Sequence, residues 1–409
     1  EWISSHEPLG YAEVVSRRSV VNGYSCALRR WPVKAVIVDW ARSPFHRAHR
    51  GDLAAVRPDD LAGQVAKALI DRNEINPAEF DDLLLGCGYP EAEQGYNMGR
   101  LVTFLIGMPN TVPGVTYNRL CGSSMQAILS AAANIESGWG DCFLCVGIES
   151  MSRVKRRGFN WSPHPGLEDG WPEAYVPMGQ TAENIATRWS IPRTLQEQFA
   201  LSSHQKAASA RTSGSFDDEL IPISHDGITI TEDGCIRPDT TLESMAALSP
   251  VFSDGGSVTA ATSSPLTDGA AAVIVCSEDF ALSRGLQPMA RIVSGAVTGC
   301  PPDIMGIGPV EATKQVLERA AWELSSVDIF ELNEAFSSQS MAVIDELRLD
   351  SAKVNLDGGA IAIGHPLGAS GVRITGKAAS LLSRTGTNRA IATMCIGGGM
   401  GIAIALESL

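Results

Sequence analysis

Cys121 stands in the run Asn118-Arg119-Leu120-Cys121-Gly122-Ser123-Ser124-Met125, where a loop of small residues runs into a segment with Met125, Ile128, Leu129, Ala132 and Ile135 at helical spacing. That spacing puts the thiol at or just before a helix N-terminus. Unpaired N–H groups and the positive end of the helix dipole favour a thiolate there, and hence a nucleophile. Three further segments carry reactive residue types in a permissive backbone. His365 sits inside Gly358-Gly359-Ala360-Ile361-Ala362-Ile363-Gly364-His365-Pro366-Leu367-Gly368-Ala369-Ser370-Gly371, whose glycines allow close approach to a ligand. Cys395 ends a strand ahead of Gly397-Gly398-Gly399, a turn whose N–H groups can face a ligand oxygen. Asn333 opens Asn333-Glu334-Ala335-Phe336 after another strand, a place where Asn often simply caps a helix. Singly, a buried small thiol, a core imidazole and a cap account for these residues; as a set they supply a nucleophile, a base, a second thiol and an amide.

The elements that must position this set alternate. A short apolar strand at 35–40 breaks at Arg42-Ser43-Pro44 and is followed by a helix at 58–72; a strand at 82–86, a helix at 99–106 and an approach strand at 114–116 lead to Cys121, its helix and a strand at 141–148. Strands alternating with helices argue for α/β architecture with helix-covered sheets. From about 151 to 256 the texture changes to loops rich in Gly, Pro, Trp and charge, interrupted by amphipathic helices at 179–189 and 194–212, as in an inserted loop domain. A strand at 270–277 resumes the alternation, and a second α/β half follows through segments at 311–324, 328–332, 334–347 and 389–406. Asn118-Arg-Leu-Cys-Gly-Ser-Ser and Asn355-Leu-Asp-Gly-Gly-Ala-Ile each precede a small-residue helix, an echo that points to internal duplication with two equivalent loops converging on one site.

The 409 residues, 44% hydrophobic and 19% charged, suffice for a large globular enzyme or for two or three fused domains. A net charge of −14 argues against nonspecific nucleic-acid binding, although Lys155-Arg156-Arg157 and Arg237 offer a local anion site. No apolar run reaches the roughly 18 residues that span a bilayer, so no integral membrane protein is expected. Nine cysteines without regular spacing, several within apolar runs, read as reduced thiols. Cys142-Phe143-Leu144-Cys145 has the spacing of a metal pair, but its flanks read as a strand with alternate residues on opposite faces and no second pair follows, so no metal site is expected. Residues 1–32 read as an N-terminal extension, with a faint likeness to an organelle transit peptide spoiled by Glu1, Glu7 and Glu13.

Taken in order, these segments resemble the thiolase family over roughly residues 34–409. The resemblance is carried by Arg42-Ser43-Pro44-Phe45, the 118–125 run, Val146-Gly147-Ile148-Glu149-Ser150-Met151-Ser152, Met178-Gly179-Gln180-Thr181-Ala182-Glu183-Asn184, Asp268-Gly269-Ala270-Ala271-Ala272, Met305-Gly306-Ile307-Gly308-Pro309, Asn333–Phe336, the His365 glycine run and Cys395–Gly401. It implies a five-layered αβαβα fold made of two duplicated halves: 33–152 completed by 257–295, and 296–409, with a coenzyme A-binding loop domain at 153–256.

The resemblance also implies the chemistry of an acyltransferase that cleaves 3-ketoacyl-CoA with CoA, as in fatty-acid beta-oxidation. Cys121 would attack the 3-keto carbon after His365 takes its proton, and Cys395 would protonate the acetyl-CoA enolate and later deprotonate the incoming CoA thiol, a task matched by an unperturbed thiol pKa of about 8.5. One oxyanion hole would be His365 with a water held by Asn333, the other the N–H groups of Cys121 and Gly397. For CoA, a co-substrate rather than a permanent cofactor, the family pattern maps Arg237 and Ser244 to the nucleotide end and Ser264, Met178 and Met305 to the pantetheine and thioester end. Pro177, where short-chain biosynthetic members usually carry His, and Ala261-Thr262, where Gly-Asn is common, favour a degradative enzyme over an acetoacetyl-CoA thiolase that condenses two acetyl-CoA. A homodimer or homotetramer is implied, in some members joined to a hydratase/dehydrogenase subunit, and a bacterial cytoplasmic setting, with mitochondrion and peroxisome as the alternatives.

Overall fold

The computed structural model describes residues 35–409; the 1–32 extension lies outside the described residues. Its strands are β1 (Ala35–Arg42), β2 (His46–Arg47), β3 (Asp82–Cys87), β4 (Gly114–Tyr117), β5 (Cys142–Ser150), β6 (Ile223–His225), β7 (Ile228–Ile230), β8 (Thr267–Ser277), β9 (Ala290–Gly299), β10 (Ile329–Leu332), β11 (Arg389–Ile396) and β12 (Met400–Glu407). Apart from the β6–β7 hairpin they form one ten-stranded path, β10-β11-β12-β9-β1-β8-β5-β3-β4, with β2 beside β8.

That order contains the duplication. Outward from β1, the pairings β1–β8, β8–β5 and β5–β3 run antiparallel, antiparallel and parallel. Outward from β9, the pairings β9–β12, β12–β11 and β11–β10 repeat the same sequence. The halves meet where Val36 pairs with Arg291 and Ile37 with Ala290.

Three apolar cores separate five layers. Helices Pro58–Arg72 and Met98–Leu105 cover one face of the first half through Leu61, Val65, Leu69 and Val102. Gly308–Ala320 and Ser337–Leu347 cover the second half through Val310, Val316 and Val343. Between the halves lie Ser123–Glu136 and Leu367–Thr385, with Met125, Ile128, Val372 and Leu381 in the shared inner core. A sheet covered on both faces needs strands that are apolar on both faces, and every residue of β5 and β8 is buried. Cys142 accordingly enters the outer core and Cys145 the inner one.

The two central helices meet at backbone distance. A Cβ added at Gly371 would lie 2.3 Å from the Met125 nitrogen, and one at Gly368 2.2 Å from the Ile148 carbonyl oxygen. The Ser124 hydroxyl accepts the Val372 N–H at 3.0 Å across the same crossing. The first turns of both helices are thereby clamped to the ends of β3 and β5.

The strand expected to end at Cys395 runs one residue further, to Ile396, and the expected turn at Gly397–Gly399 follows, with φ of +80° and +81° at Gly398 and Gly399, leading into β12. Other expectations shift. The helix expected from 334 begins at Ser337, so Asn333 caps nothing. β9 was not legible, because Ala290–Gly299 alternates buried with half-buried residues and carries Arg291 and Ser294 instead of a continuous apolar run. It pairs along its length with β12, so a division at 295/296 would cut a strand; a start to the second half ahead of Ala290 keeps it whole.

The loop region contributes helices Met178–Arg188, Arg193–Thr212 and Leu242–Ala246. It is fastened by buried charge. Arg42 of β1 donates to Glu219 at 2.7 Å and to both oxygens of Asp233 at 2.7 and 2.8 Å. Lys377 pairs with Glu219 and, at 3.1 Å, with Asp357, which also takes a bidentate pair from Arg384.

Because the atom nearest a Cβ at Gly371 is the Met125 main-chain nitrogen, with Met125 Cβ and Ser124 Oγ close behind, Gly371→Ala should lower the unfolding free energy by about 3 kcal/mol. The drop is read as a lower urea midpoint, and an unchanged midpoint would contradict the clamp.

Candidate active site

Cys121 lies two residues before the Ser123–Glu136 helix, as its sequence context requires. Its environment differs from the expected thiolate trap. Burial pushes the Cys121 thiol up to about 11; the N–H groups of Gly397 and of Cys121 itself face the sulfur and pull the other way, while the charge of Glu149 adds to the rise. Desolvation of the charged form therefore outweighs the helix end, and the resting sulfur at neutral pH is a thiol.

Cys395 arrives from the end of β11 and is 1% exposed. Burial, with Cys121 and Cys300 as neighbours, raises it well above the usual thiol range. The expectation of an unperturbed pKa does not hold for Cys395. It rests firmly protonated, the state required to donate a proton. Met178, Met305, Ala335 and Phe336 share its apolar cluster. Gly397 opens the turn after it, and a Cβ there would meet Met178 Sδ at 3.3 Å and Leu120 Cδ1 at 3.2 Å.

His365 precedes the Leu367–Thr385 helix and is 5% exposed. Burial, with the positive charge of Arg373, lowers it to about 3, so the imidazole is neutral and has a free lone pair. Its main-chain N–H donates to Thr267 Oγ1 at 3.0 Å, its Nδ1 lies 2.5 Å from Ser370 Oγ, and its Nε2 lies 3.5 Å from Asn333 Nδ2. Asn333 is fully buried at the end of β10, and its Oδ1 has no hydrogen-bond partner among the described residues. Such an acceptor is costly unless something donates to it.

Two buried carboxylates hold the loops, and the sequence reading missed both. Glu149 accepts the N–H groups of Gly88 at 2.8 Å, Tyr89 at 3.2 Å and Gly368 at 3.0 Å, and the Gln94 amide at 2.8 Å. It ties the chain beyond β3 to the first turn of the His365 helix. Glu334 accepts from Ser203 Oγ at 2.6 Å, Asn355 Nδ2 at 2.8 Å and the Ile361 N–H at 3.2 Å, fixing the 358–361 loop against the Asn333 segment. Burial raises both carboxyls. The only signal available was an acidic residue where an apolar strand ends.

A small open cleft lies beside the segment that Glu334 holds, lined by Arg47, His204, Arg237, Thr240, Ser263 and Ile361 of the short helix that leads to His365, among others. Arg237 thus lines it, and Arg47, unflagged in the sequence, joins it. Met245 lines it too, whereas Ser244 is exposed with its hydroxyl donating to the Thr241 carbonyl in a capping box. Ser264 donates to the Ala335 carbonyl at 3.0 Å, beside the Asn333 segment. Lys155–Arg157 do not line the cleft: Lys155 lies over Phe159, and Arg157 stacks on Trp161 at 4.7 Å and donates to the Tyr175 carbonyl. Of the two expected anion-binding segments, only Arg237 faces the cleft.

Duplicated α/β halves that bring two thiols and a neutral imidazole to the entrance of two paired helices define a cysteine-centred α/β enzyme class. Residues 35–279 match the N-terminal domain of thiolase and residues 286–408 its C-terminal domain, and the chain belongs to the thiolase family. Among its relatives, the 3-ketoacyl-CoA thiolase of Bacillus subtilis is 44% identical over 390 residues, 91% of this chain and 99% of the relative. That of Pectobacterium carotovorum is 46% identical over 385 residues, 91% and 99% of the two chains. The crystal structure of human mitochondrial 3-ketoacyl-CoA thiolase in complex with CoA superposes with a TM-score of 0.85 at 38% identity, over 92% of this chain and 98% of that one. The acetyl-CoA acetyltransferase of Bacillus anthracis gives the same TM-score and identity, over 92% and 99%.

The state of Cys121 is open to a spectroscopic check. Its pKa is raised, so the thiolate forms only at more alkaline pH; the ultraviolet thiolate difference between the wild type and Cys121→Ser should be absent near pH 7 and grow above about pH 10. A full signal at neutral pH would show instead that the helix end dominates.

Proposed function

We propose that the chain is a 3-ketoacyl-CoA thiolase that cleaves its substrate with CoA to acetyl-CoA and an acyl-CoA two carbons shorter. The observation that carries this reading is the two neighbouring thiols, half-buried Cys121 and buried Cys395, with the neutral imidazole of His365 at the start of the helix packed against that of Cys121. The Cys121 proton passes to His365 Nε2 as the sulfur attacks the 3-keto carbon, giving an alkoxide. Collapse of that alkoxide breaks the C2–C3 bond and leaves its electron pair on the acetyl-CoA enolate, which takes the Cys395 proton at C2. The Cys395 sulfur then takes the CoA thiol proton, CoA attacks the acyl-cysteine, and His365 returns its proton to Cys121 as that sulfur leaves.

A resting thiol beside a neutral base suits this cycle, because charge develops only while the acyl group is being transferred. The Gly397 and Cys121 N–H groups, already facing the sulfur, serve the oxyanion of acyl transfer. Asn333, with its free buried oxygen, holds the water that completes the other hole with His365. CoA is a co-substrate in the Arg237 cleft, with Ser244 and Ser264 toward its two ends and Met178 and Met305 at the thioester. The eight free cysteines among the described residues support a reducing setting such as the bacterial cytoplasm. The half-buried edge strand β4, near the exposed Phe104 and Leu105, supports a homodimer.

The equal structural likeness to an acetyl-CoA acetyltransferase makes a short-chain enzyme the second reading. Pro177, the extended residue that opens the Met178–Arg188 helix, and Thr262, whose hydroxyl accepts the Thr259 N–H, leave no polar side chain of the short-chain type at those positions. CoA-dependent cleavage of a 3-ketoacyl-CoA series should therefore rise from acetoacetyl-CoA to medium and long chains, and fall by at least about 10⁴-fold in Cys121→Ala. Activity confined to acetoacetyl-CoA would establish the second reading.

Cys395→Ala should still acylate at Cys121 yet lose deuterium exchange at the acetyl methyl. Full retention of exchange would remove Cys395 from the proton transfers.

A further inference from the structure

Ser370 lies in the first turn of the Leu367–Thr385 helix, and no feature of its sequence context distinguishes it from a small helix-packing residue. Its side chain is engaged on two sides. The hydroxyl donates to the Pro366 carbonyl at 2.9 Å, and its oxygen is 2.5 Å from His365 Nδ1. Ser370 and His365 are 1% and 5% exposed, so solvent does not compete for either contact. A serine hydroxyl has one proton to give. With that proton on Pro366, whose carbonyl also accepts the Ala369 and Ser370 N–H groups, the oxygen accepts from the ring and Nδ1 carries the imidazole hydrogen. The other ring nitrogen agrees: its neighbour at 3.5 Å is the Asn333 amide nitrogen, a donor, which suits an Nε2 lone pair.

We infer that Ser370 is a positioning residue that fixes His365 in the Nδ1–H tautomer and so keeps Nε2 free to take the Cys121 proton. The inference rests on His365 being the base proposed above. Among the described residues no carboxylate contacts this imidazole, unlike the acid that orients histidine in a serine-protease triad. A hydroxyl sets the tautomer without adding a negative charge that would hold the proton on the ring. His365 can then receive the Cys121 proton as a neutral base and give it back when the thioester is cleaved. The main-chain bond from His365 to Thr267 and the backbone clamp at Gly371 fix the loop, leaving ring orientation and tautomer to Ser370.

The test uses the full chain with ¹⁵N-labelled histidine as wild type, Ser370→Ala, Ser370→Thr and His365→Ala, the last serving to assign the His365 signal. Three readouts are compared: the His365 tautomer from its ring nitrogen shifts, the second-order rate of Cys121 alkylation by iodoacetamide, and the KM for CoA. The wild type should show a single Nδ1–H tautomer. Ser370→Ala should show mixed tautomers and alkylate about tenfold or more slowly, within the roughly 10⁴-fold loss that a fully wrong tautomer brings, with a KM for CoA within about twofold of wild type. Ser370→Thr, which keeps the hydroxyl, should recover both signals.

An Nε2–H tautomer in the wild type would overturn the inference without any variant, as would an unchanged tautomer and rate in Ser370→Ala. If His365→Ala alkylates as fast as wild type, the assignment of His365 as base fails, while the wild-type tautomer still reports on Ser370.

Discussion

The site depends on two helices touching through their backbones. Gly371 meets Met125 and Gly368 meets the end of β5 with no room for a side chain. Cys121 and His365 are far apart in the sequence, but each sits just before one of these helices, so the crossing fixes one relative to the other. Glu149 reinforces it by accepting N–H groups from the chain beyond β3 and from the first turn of the second helix. The duplicated strand order is what brings the equivalent helix of each half to the same plane.

Charge buried farther from the thiols performs a second fastening. Arg42, Lys377 and Arg384 join β1 and the central helix to Glu219, Asp233 and Asp357. Replacing such a network by apolar residues need not destabilise a protein, whereas removing one partner leaves an unpaired charge in low dielectric. Its placement explains how a loop region whose own sheet is a single short hairpin is held against two α/β halves: the carboxylates Glu219 and Asp233 come from the loop region and the cations from the halves.

The electrostatics of the site follow from burial more than from the helix ends. Cys121, Cys395 and His365 are all driven toward their neutral forms. The resting site is thus uncharged at the three groups proposed to react, and the polar atoms around them include the Gly397 N–H and the Asn333 amide. Preorganised dipoles in a dry site are more effective than the same groups in water, because no solvent must reorganise when the oxyanion forms.

Much of this was legible beforehand. Local pattern located most strands and helices, since apolar runs and helical spacing are properties of neighbouring residues; the 58–72 helix came out with its observed ends. The same logic found Cys121, His365, Asn333 and Cys395, because each sits beside glycines or at a strand end. β9 escaped because half of its residues are only partly buried, and the late helix start at Ser337 escaped because the bonds that hold residues 333–335 out of the helix come from Asn355, Ser264 and Thr393 elsewhere in the chain. The sequence by itself determined the reactive types, the α/β alternation and the repeat of a loop before a small-residue helix. Only the tertiary structure decided that the three groups proposed to react are neutral, that Ser370 contacts the His365 ring while Glu149 and Glu334 hold the neighbouring loops, and that Arg47 and Arg237, not Lys155–Arg157, face the cleft. Desolvation and long-range hydrogen bonds depend on which distant segments close over a residue, and that information is absent from any short window of the chain.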